Sequence, residues 1–341
     1  MTASFPARLG LIAPLTGLLL SCSPEHPALD RRGPYLGQEP PGETPQLFAP
    51  GIVSTGMFTR DITMTPDGGE IYFCVAVGNY AVTTILVTKL VDGQWTAPEV
   101  MPHMDRPGSI NLEPCISPDG RSFFFFSDRP DTAAGEVKGE EDIWVMHREA
   151  DSWGEPRNLG PPVNTEDPEF FPSVTRDGTL YFTRGKRGGR IEKIYRSRLV
   201  NGVYGEPEEL PERVNCGTTR FNAFVAPDES YLIVPAVGRE DSYGGVDYYV
   251  VFRDSADRWS EPVNVGPLVN TEGSQEYSSF VSRDGQYFFF MAARKPTPDQ
   301  LPARLSYRAL LELRDHPENG LPSIYWRDAA FLDELRAGAT W

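Results

Sequence analysis

The sequence predicts an all-β chain folded as a five-bladed β-propeller of four-stranded antiparallel blades, closed by an N-terminal strand, with a short helical insert in the last blade. Three observations carry that expectation. A turn signature recurs five times, each turn is followed by an aromatic or β-branched run, and a fourth-strand pattern is missing at one end of the chain and left over at the other.

The turns are Pro66-Asp67-Gly68, Pro118-Asp119-Gly120, Arg176-Asp177-Gly178, Pro227-Asp228-Glu229 and Arg283-Asp284-Gly285. Their aspartates are 52, 58, 51 and 56 residues apart, the period of a propeller blade rather than of a helical repeat. Asp-Gly between apolar runs is a hairpin signal, because glycine accepts positive φ and aspartate caps the turn with its own side chain. The runs that follow, 71–73, 123–126, 180–182, 231–234 and 287–290, therefore read as second strands, preceded by first strands. Third strands recur at 84–90, 143–147, 194–198, 248–252 and 324–327.

A fourth element follows four of these, with an aromatic residue three before a proline: Trp95 and Pro98, Trp153 and Pro156, Tyr204 and Pro207, Trp259 and Pro262. Proline lacks a donor N–H and suits an outer edge strand, where the aromatic would cover the edge against the next blade. The last blade has no such element, whereas residues 47–53 form an orphan strand before the first turn. Joining the two closes the ring with five blades of about 58 residues over 48–336. The stretch 295–321 inside the last blade holds Leu305, Ala309 and Leu313 at helical spacing, so a helix is expected over 303–314, packed on the ring, and a second at 328–336.

The N-terminus stands apart. Arg8 precedes the apolar run 9–20, too short to span a bilayer, and then Ser21-Cys22, which reads as an export signal. Residues 22–46 carry six prolines and make a tether. The expected organisation is a signal peptide (1–21), a Pro-rich tether (22–46) and a single propeller (47–341).

A formal charge of −16 argues against nucleic acid as a partner, because phosphates need a cationic surface. With 19 Phe, 14 Tyr and 6 Trp the chain is too aromatic to be a disordered acidic polymer. Beyond Cys22, the three cysteines Cys74, Cys115 and Cys216 show no paired spacing, and no obligatory disulfide is expected. Four histidines share no metal-ligand spacing, so neither a metal nor another cofactor is expected. Ser242 sits in a segment reminiscent of a nucleophile turn, but Glu240 replaces its first glycine and no hydrolase domain follows.

Glu113-Pro114, the turn 117–120, the aromatic strand 123–126, Ser127-Asp128-Arg129 and Asp142-Ile143-Trp144 together resemble the TolB-like, WD40-like (PD40) propeller repeats. The segment 323–332 resembles the C-terminal signature of members built as one propeller. Glu229 in place of glycine, Arg176 and Arg283 in place of proline, and an acidic insert at 131–141 depart from the pattern. Leu19-Leu20-Ser21-Cys22 resembles the bacterial lipoprotein signal, which implies diacylation of Cys22. Ser23 after that cysteine implies delivery to the outer membrane, facing the periplasm.

In a hairpin the start of strand one lies beside the end of strand two, so residues at those places gather on one mouth of the ring. The candidate ligand-binding residues are Arg60, Asp61, Glu113, Arg129, Glu169, Arg184, Arg220, Asn222, Glu276 and Arg294, with Asp128 and Arg239 beside them. A mouth of mixed Glu and Arg suits a polar or zwitterionic ligand; the same residues also serve to pair and lock neighbouring blades. The resemblance implies a non-catalytic, monomeric, membrane-anchored module binding an envelope protein or glycan. The alternative is a carbohydrate-active hydrolase or lyase using Asp61, Glu113, Glu169 or Glu276 in the central well.

Overall fold

The computed structural model describes residues 31–130, 141–189, 191–272 and 275–341. The signal segment, Cys22, the start of the tether and nearly all of the acidic insert lie outside the described residues.

Five small antiparallel sheets form the ring. From the axis outward, blade one is Phe58–Met64, Glu70–Val77, Val82–Val91 and Glu99–Val100, and blade two is Asn111–Ile116, Ser122–Ser127, Asp142–Glu149 and Arg157–Asn158. Blade three is Glu169–Val174, Leu180–Arg184, Lys193–Ser197 and Glu208–Glu209. Blade four has a split inner strand, Thr219–Arg220 and Phe224–Val225, then Tyr231–Val237, Asp247–Phe252 and Val263–Asn264. Blade five is Tyr277–Val281, Tyr287–Ala292, Ser323–Asp328 and, from the other end of the chain, Gln46–Leu47.

The ring therefore closes through its N-terminal strand. That strand is shorter than expected: Gln46 and Leu47 pair with Trp326 and Tyr325, the Phe48 N–H donates to the Ile324 carbonyl, and Ala49 (φ 44°) and Gly51 (φ 77°) then turn the chain away. Phe48 is fully buried, edge-on to Phe289 and Trp326.

The aromatic-proline element also differs from expectation. The aromatic lies in a short hairpin with the end of the third strand (Leu90 opposite Trp95, Arg148 opposite Trp153, Leu199 opposite Tyr204), and the outer strand begins only after the proline. Proline donates no hydrogen bond, so the chain leaves the hairpin there and re-enters the sheet one step on. The Trp153 ring covers the preceding blade, not the next one, with Nε1 donating to the Tyr72 hydroxyl at 2.8 Å.

A repeat that pattern reading did not register ties blades two, three and four to the connections that follow them. Asn164, Asn215 and Asn270 each accept from the backbone N–H at the head of a third strand (Ile143, Ile194, Tyr248) and donate back to its carbonyl. In the last blade's insert the helix is Tyr307–Asp315, capped by Ser306. None of its residues is fully buried, and its end meets the ring where the Asp315 backbone abuts Gly56. The final helix, Phe331–Ala337, buries Phe331 and Leu332.

Candidate functional site

Each inner strand carries the same backbone irregularity. The residue six before the turn aspartate has positive φ in all five blades: Asp61 (46°), Glu113 (60°), Phe171 (50°), Asn222 (52°) and Ser278 (66°). The strand register slips there in blades one, two, three and five, and the inner strand of blade four is broken there. Left-handed backbone costs a non-glycine residue about 1–2 kcal/mol. Five such residues at equivalent places mark a shared constraint, the bulge that aims one side chain per blade at the axis.

These side chains meet. Glu113 of blade two is the centre: Oε1 accepts from Arg60 Nη2 (2.5 Å) and Asn222 Nδ2 (3.1 Å), and Oε2 accepts from the Phe171 N–H (2.8 Å). Ser278 Oγ accepts from Arg60 and from Asn222, both at 3.3 Å. All five blades are thus joined by one hydrogen-bonded hub, in which Arg60, Asp61 and Glu113 are 6%, 3% and 4% exposed. Arg60 Nε lies 2.8 Å from Asp61 Oδ2, yet neither Asp61 oxygen accepts a hydrogen bond. One cation thus serves two carboxylates. Burial pushes the Glu113 carboxyl up to about 8 against the pull of Arg60, and Asp61 adds to the rise. Burial works against the Arg60 charge, but Asp61, Tyr277 and Glu113 hold its guanidinium well above the ordinary value.

On the mouth side the hub is capped by aromatics. The residues one place earlier, Phe170, Phe221 and Tyr277, are half-buried, as is Tyr80 from the loop after blade one's second strand. Arg60 donates to the Tyr80 hydroxyl (3.1 Å) and lies 4.9 Å from the centre of the Tyr277 ring, which meets Phe221 edge-on at 5.8 Å. On the other side of the hub the axial cavity holds only about 20 Å³, the space of one water molecule.

Of the ten predicted residues, the structure brings Arg60, Asp61, Glu113 and Asn222 together. The other six sit on the seams between blades. Glu169 accepts from Arg184 (2.6 Å) and Thr165 (2.6 Å), and burial raises its carboxyl. Arg184 also donates to the Val163 carbonyl (2.9 Å). Arg129 donates to Asn111 (2.5 Å) and the His103 carbonyl (3.1 Å), and burial lowers its guanidinium to about 10. Arg220 donates to the carbonyls of Cys216, Gly217 and Glu192, Glu276 accepts from Thr271 (2.8 Å), and Arg294 stacks 4.2 Å from the Tyr325 ring centre. Of their neighbours, Asp128 accepts from the Ile110 N–H and Arg239 pairs with Asp241.

The bulge explains the division. Glu169, Arg220 and Glu276 lie eight before the turn aspartate, two places from the axial position, where an unbroken strand would put them on the same face. The extra residue resets the alternation and turns them into the seams. Sequence reading missed Ser278 and the collar residues Phe170, Phe221 and Tyr277, which counting back six and seven residues from each turn aspartate finds, and Tyr80, which lies in a loop outside that pattern.

Chemically, the glutamates are engaged by the protein itself, while Asp61 meets only the Arg60 guanidinium, at 2.8 Å. Both Glu113 oxygens, both Glu169 oxygens and Glu276 Oε1 accept hydrogen bonds from the protein itself. A glycoside-cleaving pair needs an acid and a base facing a sugar across an open well; the axis offers a water-sized cavity instead.

No family model matches the chain, and no curated protein matches it. Among solved structures it is similar to one described as "Glycoside hydrolase", with a TM-score of 0.53 and 9% identity over 85% of this chain and 92% of that one. It is similar also to a putative TolB from Agrobacterium tumefaciens (TM-score 0.46, 16% identity, 80% of this chain and 90% of that one). TolB from Acinetobacter baumannii gives a TM-score of 0.42 at 14% identity over 80% of this chain, which spans 57% of that protein's length. TolB-like propellers are thus among its structural neighbours, and at these identities the likeness is one of fold alone.

Proposed function

We propose that the protein is a non-catalytic binding propeller of the bacterial cell envelope, a PD40-type lipoprotein held by lipid on Cys22 in the outer membrane and facing the periplasm. It presents the aromatic collar of its mouth, over the polar hub, to a protein or glycan, and acts as a monomer. The observation that carries the reading is the state of the four mouth carboxylates: Glu113, Glu169 and Glu276 are held by the protein's own donors, and Asp61 is buried against the Arg60 guanidinium. Half-buried aromatics over a rigid polar floor are the usual anchors of protein and sugar recognition. The lipoprotein signal and the TolB-like repeat pattern in the sequence support the compartment. The hydrolase alternative has no comparable support, since the neighbour described as a glycoside hydrolase shares the fold at 9% identity.

A photo-reactive residue placed at Phe221, on the mouth, is expected to give a discrete adduct in intact envelopes. One at Gln286, on the exposed turn of the opposite face, is expected to give none. No adduct from 221, or equal adducts from both positions, contradicts the reading.

A further inference from the structure

The seams between blades are not alike. At the seam of blades one and two, Tyr72 accepts from Trp153 Nε1 (2.8 Å) and donates to Glu70 (2.8 Å), while Arg148 pairs with Glu70 (2.7 Å) and stacks 4.9 Å from the Trp153 ring centre. At the seam of blades three and four Arg253 again pairs with a glutamate and faces a tryptophan ring (Trp259, 5.9 Å), with the glutamate, Glu229, supplied by the turn of blade four and accepting from Tyr181 across the seam. At the seam of blades two and three, strand register puts Phe124 in place of Tyr72 and Ser122 in place of Glu70, and pairing within the short hairpin puts Leu199 in place of Arg148 and Tyr204 in place of Trp153. Every replacement is smaller or apolar. A cavity of about 430 Å³ opens there, lined by these four residues with Val145 and Val174.

Two other seams lack the arginine: that of blades four and five, where Ala329 takes its position and Arg336 of the final helix stacks 4.9 Å from the Phe252 ring centre, and that of blades five and one, where Leu90 and Trp95 stand opposite each other. The seam of blades five and one is filled by the chain's own N-terminal segment. Tyr35 packs on Tyr287, Phe289 and Trp326, with ring centres 5.1, 6.1 and 5.2 Å away; Leu36 is fully buried, and Trp95 Nε1 donates to the Gly33 carbonyl (2.7 Å). Register makes Tyr287, Phe289 and Trp326 the equivalents of Ser122, Phe124 and Val145, three walls of the open cavity. Tyr35 also lies beside Ser282 and Asp284, whose equivalents Ser117 and Asp119 line its rim. The cavity is therefore the pseudosymmetric copy of a site that the molecule itself fills with a tyrosine at the head of a tight turn, Tyr35–Gly37.

We propose that the seam between blades two and three binds an aromatic side chain carried on a turn of a partner protein, as Tyr35 is bound between blades five and one. The site lies on the turn face and is independent of the mouth. Its volume falls in the range of sites that take a small organic group, and its apolar walls with a serine and aspartate rim match a phenol.

The test uses the full chain and the peptide Arg-Gly-Pro-Tyr-Leu-Gly-Gln, the sequence of residues 32–38. Saturable 1:1 binding is expected by calorimetry, weakened at least about tenfold by replacing the peptide's tyrosine with alanine. The same loss is expected in two variants that fill the cavity: Tyr204→Trp alone, and Ser122→Glu, Phe124→Tyr, Leu199→Arg and Tyr204→Trp together, which copies the lock between blades one and two. Unchanged binding to both folded variants overturns the proposal, since the peptide is then entering the seam of blades five and one. Absence of saturation at millimolar peptide overturns it as well. Dimerisation of the chain that depends on Tyr35 overturns the partner protein as occupant in favour of a second copy.

Discussion

Replacing Glu113 with alanine is expected to lower the unfolding free energy by about 3–5 kcal/mol, because three buried donors, from Arg60, Asn222 and the Phe171 N–H, lose their shared acceptor. The loss falls on four blades at once. Arg60 is left with Asp61 as its one charged partner, Asn222 and Ser278 lose the group that aligns them, and the Phe171 N–H loses its acceptor. Chemical denaturation at neutral pH measures it, and a change below about 1 kcal/mol would show that the hub does not hold the blades. Glu113→Gln keeps the shape and one acceptor but turns an amide toward the Phe171 N–H, so a smaller loss is expected.

The same residue sets a pH dependence. Because the folded carboxyl is raised to about 8, the native state holds a proton that the unfolded state releases. The associated stability is fully present below the ordinary glutamate value of 4.5 and is lost as pH rises through about 8. One proton gives a slope of at most about 1.4 kcal/mol per pH unit, which Glu113→Gln is expected to flatten.

Phe48→Ala is expected to cost about 3–5 kcal/mol. Its ring is fully buried against Phe289 and Trp326, at the point where the N-terminal strand is laid along the last blade. Loss of that anchor frees Gln46 and Leu47 from Trp326 and Tyr325 and opens an unpaired strand edge, so aggregation on heating is expected to accompany the lower midpoint. A variant with an unchanged midpoint would place ring closure elsewhere.

The blade period, the five turns and the closing strand are legible in the sequence because each rests on local chemistry: Asp-Gly turns, aromatic strands, a strand missing at one end and surplus at the other. The axial site is only half legible. Asp61, Glu113, Phe171, Asn222 and Ser278 share no chemistry that signals a bulge; what they share is a distance of six residues from a turn aspartate. Without the bulge, period-two alternation puts Glu169 and Glu276 at the axis beside Glu113, and that is why seam residues and hub residues enter the candidate set together. The trans-seam cavity is invisible to pattern reading for a related reason. Tyr204 looks like any other member of its aromatic series until strand register places it opposite Leu199 and against Phe124.

A structural axis beneath a binding collar separates stability from recognition, and crosslinking yields from a photo-reactive residue at Phe170, compared in Glu113→Gln and Phe221→Ala backgrounds at a temperature where both are folded, measure the separation. Glu113→Gln is expected to lower stability and keep the yield, whereas Phe221→Ala keeps stability and lowers the yield at least about fivefold, as loss of an aromatic anchor does. The reverse pattern, with yield lost in folded Glu113→Gln and kept in Phe221→Ala, would contradict that separation.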